Sequence, residues 1–127
     1  MNAYAAMKQY QTVNVNAQIS EADPHRLIQM LMEGGLQRVA QARGAMQHGN
    51  VALKGEQIGK AIAIIGGLRE SLDHKQGGEV AGNLDSLYAF MQQRLSQANL
   101  RNEVALLDEV TELLREVKSG WDGIRQS

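Results

Sequence analysis

The chain has 127 residues, of which 13 are basic and 14 acidic, so its net charge is -1. That length predicts one domain with a real hydrophobic core, and the near-zero charge gives no overall field that would attract nucleic acid or anionic lipid. The absence of cysteine excludes disulfides, thiolate nucleophiles and cysteine metal sites, and it fits a reducing compartment.

The first 22 residues form a polar leader in which Met7, Tyr10 and Val13 are scattered among Ala, Asn, Gln and Thr. No sustained helical period is present, so we expect a mobile segment with at most one short helix. The leader lacks the continuous apolar run of a secretory signal, and no later stretch approaches the length of a membrane span. We therefore expect a soluble, intracellular protein without membrane insertion.

The first long helix is predicted from residue 24 to about residue 48, before Gly49 and Asn50. Asp23 is a good N-cap because its carboxylate can accept hydrogen bonds from the first-turn amides, and Pro24 suits the first helical position. Helical spacing places one apolar stripe on Leu27, Ile28, Leu31, Gly35, Val39, Ala42 and Met46.

Three further helices follow. The second is predicted from about residue 51 to 74 and is ended by Gly77 and Gly78; the third runs from about 79 to 98. Asn102 is expected to cap the fourth, from residue 103 to about 125. The apolar stripe of the second helix is Ile58, Ala61, Ile62, Ile65, Leu68 and Leu72. That of the third is Val80, Leu84, Leu87, Tyr88, Met91 and Leu95, and that of the fourth is Leu107, Val110, Leu114, Val117 and Trp121.

The pattern predicts an all-α fold: an antiparallel up-down four-helix bundle over residues 23–127, preceded by a mobile N-terminal segment over residues 1–22. Long helices joined by short turns place sequential helices side by side and antiparallel. The other architecture that fits is a pair of helical hairpins that completes its core by dimerising.

Some apolar residues are not explained by these stripes. Met30 lies about 130° from the centre of the first stripe, and Leu36 and Phe90 lie about 110° from the centres of theirs. The other candidates sit at stripe edges or beside Gly34 and Gly35, where methionine supplies adaptable contacts. We interpret these positions either as a wide core or as a partner-binding surface. The candidate binding residues are Met30, Met32, Leu36, Ile64, Phe90, Leu106 and Leu113.

No set of residues suggests catalysis. The histidines at 25, 48 and 74 stand near predicted helix ends and are expected on the surface. Glu70, Asp73 and His74 share one helix face, but no Glu-x-x-His motif occurs, so we expect no metal site. Phosphate-binding loops and nucleophile elbows are also absent from the sequence. We expect neither a cofactor nor catalytic residues.

The motifs as a whole resemble the FliS family of flagellar secretion chaperones, from about residue 10 to residue 124. The resemblance rests on Asp-Pro-His-Arg-Leu-Ile-Gln-Met-Leu-Met-Glu-Gly at 23–34 and Gly-Gly-Glu-Val-Ala-Gly-Asn-Leu at 77–84. Shorter matches are Tyr10, Leu87-Tyr88, Arg94-Leu95, Ala98-Asn99, Asn102 and Trp121. Met32 departs from the pattern, because the family commonly has an aromatic residue there.

The resemblance implies a cytoplasmic, non-enzymatic chaperone that binds the disordered C-terminal segment of flagellin. Binding would prevent premature polymerisation and help deliver the client to the flagellar type III export gate. It also implies that the N-terminal segment, with Met7, Tyr10 and Val13, covers part of the client groove when flagellin is absent. The residues alone leave two alternatives: a helical dimerisation module that forms a homodimer through its leftover apolar positions, and a weakly supported carboxylate metal enzyme.

Overall fold

The computed structural model of the protein describes residues 23–124, which form four helices: α1 (Pro24–Gln47), α2 (Val51–Glu70), α3 (His74–Arg101) and α4 (Val104–Asp122). Each helix packs against the next, and α4 returns to α1, so that the helices follow one another around the bundle. The predicted all-α four-helix bundle is confirmed. The predicted leader, including Met7, Tyr10 and Val13, lies outside the described residues.

The start of α1 forms as its sequence predicts. The Asp23 Oδ1 atom accepts a hydrogen bond of 3.0 Å from the backbone N–H of His25, and Pro24 occupies the first turn. At α2, the Asn50 side chain accepts from the Leu53 N–H at 3.1 Å. Both caps satisfy amide groups that have no partner inside their own helices.

The end of α2 was predicted wrongly. The helix stops at Glu70, and Asp73 caps α3 by accepting from the N–H groups of Lys75 and Gln76, each at 3.1 Å. The cap begins a new helix before the glycine pair is reached. Gly78 still breaks the helical path, with φ 50° and ψ -121°, but it does so inside α3 rather than at the end of α2.

The predicted cap of α4 was also wrong. Asn102 is the left-handed C-cap of α3, with φ 57°, and Glu103 precedes α4 without a side-chain cap bond. The buried Lys54 ammonium donates to the Asn99 carbonyl and to Asn102 Oδ1, both at 3.1 Å. An ammonium at this position compensates the partial negative charge of a helix C-terminus. Lys54 thus attaches the end of α3 to α2.

All four helices contribute to one core. Gly35 marks the closest helix approach, because a Cβ atom there would lie 3.2 Å from Leu114 Cδ2 and 3.6 Å from Ile64 Cγ2. The core cluster consists of Leu31, Met32, Val39, Ala42, Met46, Ile58, Ala61, Ile65, Leu68, Tyr88, Met91, Leu95, Ala98, Leu107, Val110 and Leu114. Among the described helices, none is long and apolar enough to cross a membrane.

Val80 is not the core residue that its spacing predicted, since 66% of it is exposed. It stands near the start of α3, at the end of the bundle where α2 stops at Glu70 and α4 stops at Asp122. The next residue, Ala81, is buried instead, so Val80 lies beside the core-facing side of α3. We call this end of α3 and α4 the open end.

Candidate functional site

Three of the predicted binding residues come together between α3 and α4. The guanidinium carbon of Arg94 lies 4.8 Å from the centre of the Phe90 ring, and Arg94 Nε lies 3.1 Å from Glu109 Oε1. The Arg94 N–H is not aimed at the carboxylate, so this contact is an ion pair without an aligned hydrogen bond. Leu106 and Leu113 stand three residues before and four after Glu109, which places them on the same side of α4.

The ion pair also fixes the register of the two antiparallel helices. Phe90, four residues before Arg94, lies level with Leu113, four residues after Glu109. Leu106 continues the row toward the α3–α4 connection. The row extends toward the open end through further half-buried side chains. We define the α3–α4 seam as Leu87, Phe90, Leu106, Leu113 and Val117.

This seam differs from a finished core. All five of its side chains are half-buried, and α3 and α4 make the least extensive contact of the four adjacent helix pairs. Its leucines and Val117 pack on the core with one side only. The remaining sides form an apolar strip that a partner can cover.

The other four predicted binding residues do not join the seam. Ile64 packs between α2 and α1 beside Gly35, and Leu36 lines a shallow depression of about 500 Å³ with Arg115 and Lys118 of α4. Met30 and Met32 are 5% and 1% exposed, which agrees with the wide core that was one of the two interpretations of their positions. Because α1 has a neighbour on each side, more of its circumference is covered than one stripe predicts.

The sequence reasoning missed a clasp between α1 and α4, formed by His25 and Trp121. The two rings stack with their centres 4.8 Å apart and their planes 14° from parallel. His25 Nε2 donates to the Trp121 carbonyl at 2.7 Å, and Trp121 Nε1 donates to the His25 carbonyl at 3.0 Å. His25 is therefore buried, and its predicted surface position was wrong. Its partner is 96 residues away, so local spacing gave no signal.

Polar side chains extend the attachment beside this clasp. Asp122 accepts from Lys118 Nζ at 2.7 Å and from Gln29 Nε2 at 2.8 Å. These hydrogen bonds, led by that from Lys118, hold the pKa of Asp122 below its usual value, and the positive charge of Lys118 acts in the same direction. The end of α4 is thus bonded to α1 through several groups.

A network of hydrogen bonds from the Arg69 guanidinium joins α2 to α3. Arg69 Nε and Nη2 donate to the two carboxylate oxygens of Asp85, at 2.9 and 3.3 Å, and Arg69 Nη1 donates to Gln92 at 3.0 Å. Gln92 in turn donates to the Ile62 carbonyl at 3.1 Å. The bonds from Arg69 lower the pKa of Asp85. Planar two-point pairing of this kind fixes helix position as well as charge.

Within residues 23–124, no group of three or more His, Cys, Asp or Glu side chains is arranged to hold a metal ion. Burial raises the pKa of Tyr88 to about 12, so its hydroxyl stays neutral at physiological pH.

Comparison with known proteins shows the family of the chain. Residues 6–127 match the family model described as "Flagellar protein FliS". The chain belongs to the FliS family. It is 64% identical over 124 residues to the flagellar secretion chaperone FliSB of Pseudomonas aeruginosa, a match that covers 98% of each chain.

More distant members align over nearly the whole chain as well. Identity is 47% over 119 residues with the flagellar secretion chaperone FliS of Vibrio cholerae, covering 94% of this chain and 88% of that one. It is 42% over 125 residues with the FliS of Salmonella typhimurium, covering 98% and 93%. The similarity therefore includes every helix described above.

Proposed function

We propose that this FliS family member is a cytoplasmic flagellar secretion chaperone that binds the disordered C-terminal segment of flagellin, without enzymatic activity. The observation that carries the proposal is the near full-length match to proteins named flagellar secretion chaperones. The half-buried α3–α4 seam supports it by offering a place for an apolar client segment.

The seam suits an amphipathic helix. Its apolar side chains lie in a row along two antiparallel helices, so a client helix laid between them can place residues i, i+7 and i+11 over Leu106, Leu113 and Val117. Each Å² of apolar surface covered contributes about 25 cal/mol. Phe90 is the largest side chain in the row and is half-buried.

Disorder in the client fits reversible binding. Ordering a flexible segment on the chaperone opposes binding by roughly 2–5 kcal/mol, so a large contact area yields only moderate affinity. Such a client can cover its polymerisation surface while bound and still be released for export. We propose that the chaperone–flagellin complex, rather than the free chaperone, is delivered to the flagellar export gate.

The N-terminal segment is proposed to cover part of the client-binding surface when flagellin is absent. Met7, Tyr10 and Val13 would supply its apolar contacts. Deleting residues 1–20 should leave the bundle folded while increasing both hydrophobic-dye binding and affinity for flagellin. Unchanged dye binding together with unchanged client affinity would remove this part of the proposal.

The main test is co-purification of the protein with full-length flagellin and with flagellin that lacks its C-terminal segment. We expect only the full-length client to bind, and equal recovery of both would refute the proposed binding mode. Leu113→Ala should weaken binding, whereas Leu100→Ala should not. Leu100 is a fair control because it is also a leucine of the bundle, is 86% exposed and lies outside the seam.

The alternative function, a helical dimerisation module, predicts self-association through the same apolar residues. Sedimentation at several protein concentrations without flagellin separates the two. A monomer that binds flagellin supports the chaperone. A tight homodimer that excludes flagellin and is disrupted by Phe90→Ala would replace it with the structural module.

A further inference from the structure

We propose that the clasp of His25 and Trp121 positions the open end of the α3–α4 seam, so that these two residues control how tightly that end holds the client. This inference rests on the proposed function and concerns a different pair of helices from those that form the seam. His25 and Trp121 are positioning residues, because they act through the last turn of α4.

The clasp holds the turn through two hydrogen bonds, one from the indole N–H of Trp121 and one to the Trp121 carbonyl. The Trp121 carbonyl oxygen accepts from His25 Nε2 at 2.7 Å and also from the backbone N–H of Ile124 at 3.1 Å. Ile124 follows the helix and is 50% exposed. The side chain of His25 is thereby connected, through one oxygen atom, to the position of an exposed apolar residue at the open end.

Ile124 stands opposite an exposed valine. The register set by Arg94 and Glu109 places Val80, fourteen residues before Arg94, level with the residue that precedes Ile124. Val80 is 66% exposed. The two residues therefore extend the apolar row of the seam to the open end, Val80 from α3 and Ile124 from the residues that follow α4.

The last turn of α4 needs an external attachment to stay in place. Gly120 lies within this turn and Gly123 caps it, and glycine weakens a helix because it has more backbone freedom to lose. A Cβ atom at Gly120 would meet nothing within 4 Å, so no close helix packing requires a glycine there. The clasp holds this turn against α1, together with the hydrogen bond from Gln29 to Asp122.

Holding the turn before the client arrives should raise affinity. A client helix that meets a fixed Ile124 does not also have to order the α4 turn, and preorganisation of this kind reduces the entropy lost on binding. The clasp lies between α1 and α4, outside the seam, so it can alter client binding without contacting the client.

The experiment compares one position at each end of the apolar row, in the wild-type protein and in a variant of the clasp. Val80→Ala tests the open end and Leu106→Ala tests the end near the α3–α4 connection; each is made in the wild-type protein and with Trp121→Phe. Trp121→Phe keeps an aromatic ring for stacking but removes the indole N–H that donates to the His25 carbonyl. Affinity for a peptide of the flagellin C-terminal segment is measured by calorimetry with the full-length chain.

We expect Trp121→Phe to weaken binding by about three- to tenfold, which corresponds to the loss of one typical hydrogen bond. Val80→Ala should weaken binding several-fold in the wild type but less than about twofold with Trp121→Phe, because contacting residues are not additive. Leu106→Ala should have the same effect in both backgrounds. If the clasp had a merely structural role, Trp121→Phe would alter the effects of Val80→Ala and Leu106→Ala on affinity to the same extent.

Each outcome decides something. If Val80→Ala has the same effect with and without Trp121→Phe, the inference is wrong while the proposed function stands. If the wild-type protein does not bind the flagellin peptide at all, the proposed function is wrong and the inference falls with it. Should Trp121→Phe unfold the chain, His25→Gln replaces it, since glutamine keeps an N–H donor but not the stacked ring.

Discussion

The seams on the two sides of α4 are built differently. On the α1 side, α4 is held by the clasp, by the hydrogen bond from Gln29 to Asp122 and by the ion pair of Arg43 Nε with Asp108 at 2.7 Å. On the α3 side, one ion pair to Glu109 accompanies a row of half-buried aliphatic and aromatic side chains. Polar contacts within the chain hold the first seam together, whereas the second leaves apolar side chains partly exposed. One helix thus has one side held by polar contacts to α1 and one side with partly exposed apolar residues, which we propose as the binding side.

The largest expected difference comes from two adjacent leucines of α4. Leu114 is fully buried against Gly35, so Leu114→Ala should destabilise the bundle by about 2–5 kcal/mol through lost burial and a cavity. Leu113→Ala should cost roughly 1 kcal/mol or less, because that side chain is half-exposed, while it weakens flagellin binding. Urea unfolding at constant m-value measures the first effect, and calorimetric titration measures the second. Equal losses of stability in Leu114→Ala and Leu113→Ala would show that the seam leucine is packed as tightly as the core leucine.

The break at Gly78 sets where the open end begins. A residue with a Cβ atom is strained at φ 50° and ψ -121°, so Gly78→Ala should cost about 1–3 kcal/mol. Gly82→Ala is the matched control. Its Cβ would meet nothing within 4 Å inside a regular helix, so a gain of roughly 0.5–1 kcal/mol is expected. Thermal unfolding of both variants compares them directly, and stabilisation by Gly78→Ala would contradict the geometry.

The clasp should contribute measurably to stability. His25→Ala removes a stacked ring and the donor to the Trp121 carbonyl, which we expect to cost roughly 1–2 kcal/mol. His48→Ala serves as control, because the exposed His48 ring only bonds the Gly44 carbonyl of its own helix. Chemical denaturation of the two variants at neutral pH distinguishes them. The histidines would be equivalent if both substitutions changed stability alike.

The smallest expected effect is a pH dependence at Asp122. Its folded-state pKa lies below that of the unfolded chain, so its contribution to stability is present above the unfolded value of about 3.9 and is lost as the pH falls through the lower folded value. Asp122→Asn should therefore differ most from the wild type near neutral pH and converge with it in acid. Urea unfolding over that pH range tests this, and added salt should reduce the difference. If the difference in stability between the wild type and Asp122→Asn grew in acid, the direction of the pKa shift of Asp122 would be wrong.

Much of the fold could be predicted because helix starts and core spacing are local properties. Asp23 with Pro24 fixed the start of α1, and the buried members of each stripe form the core. The errors arose where two local signals competed. Gly77 and Gly78 looked like a helix end, but the carboxylate of Asp73 began the next helix earlier.

The candidate site was only partly predictable because exposure depends on neighbouring helices. Phe90, Leu106 and Leu113 share the α3–α4 seam, but Met30 and Met32 are buried, and Ile64 and Leu36 lie on other seams. Whether those four also take part in client binding stays a prediction. The clasp could not be found from spacing, since it joins residues from opposite ends of the described chain.

The stacked pair of His25 and Trp121 also provides an optical signal. Trp121 is the only tryptophan in the sequence, so the intrinsic fluorescence of the protein reports on one place, the contact between the first turn of α1 and the last turn of α4. Emission intensity and wavelength should respond when the imidazole is removed or when the indole enters water. Flagellin binding, leader deletion and unfolding can therefore each be followed at this contact without attaching a dye.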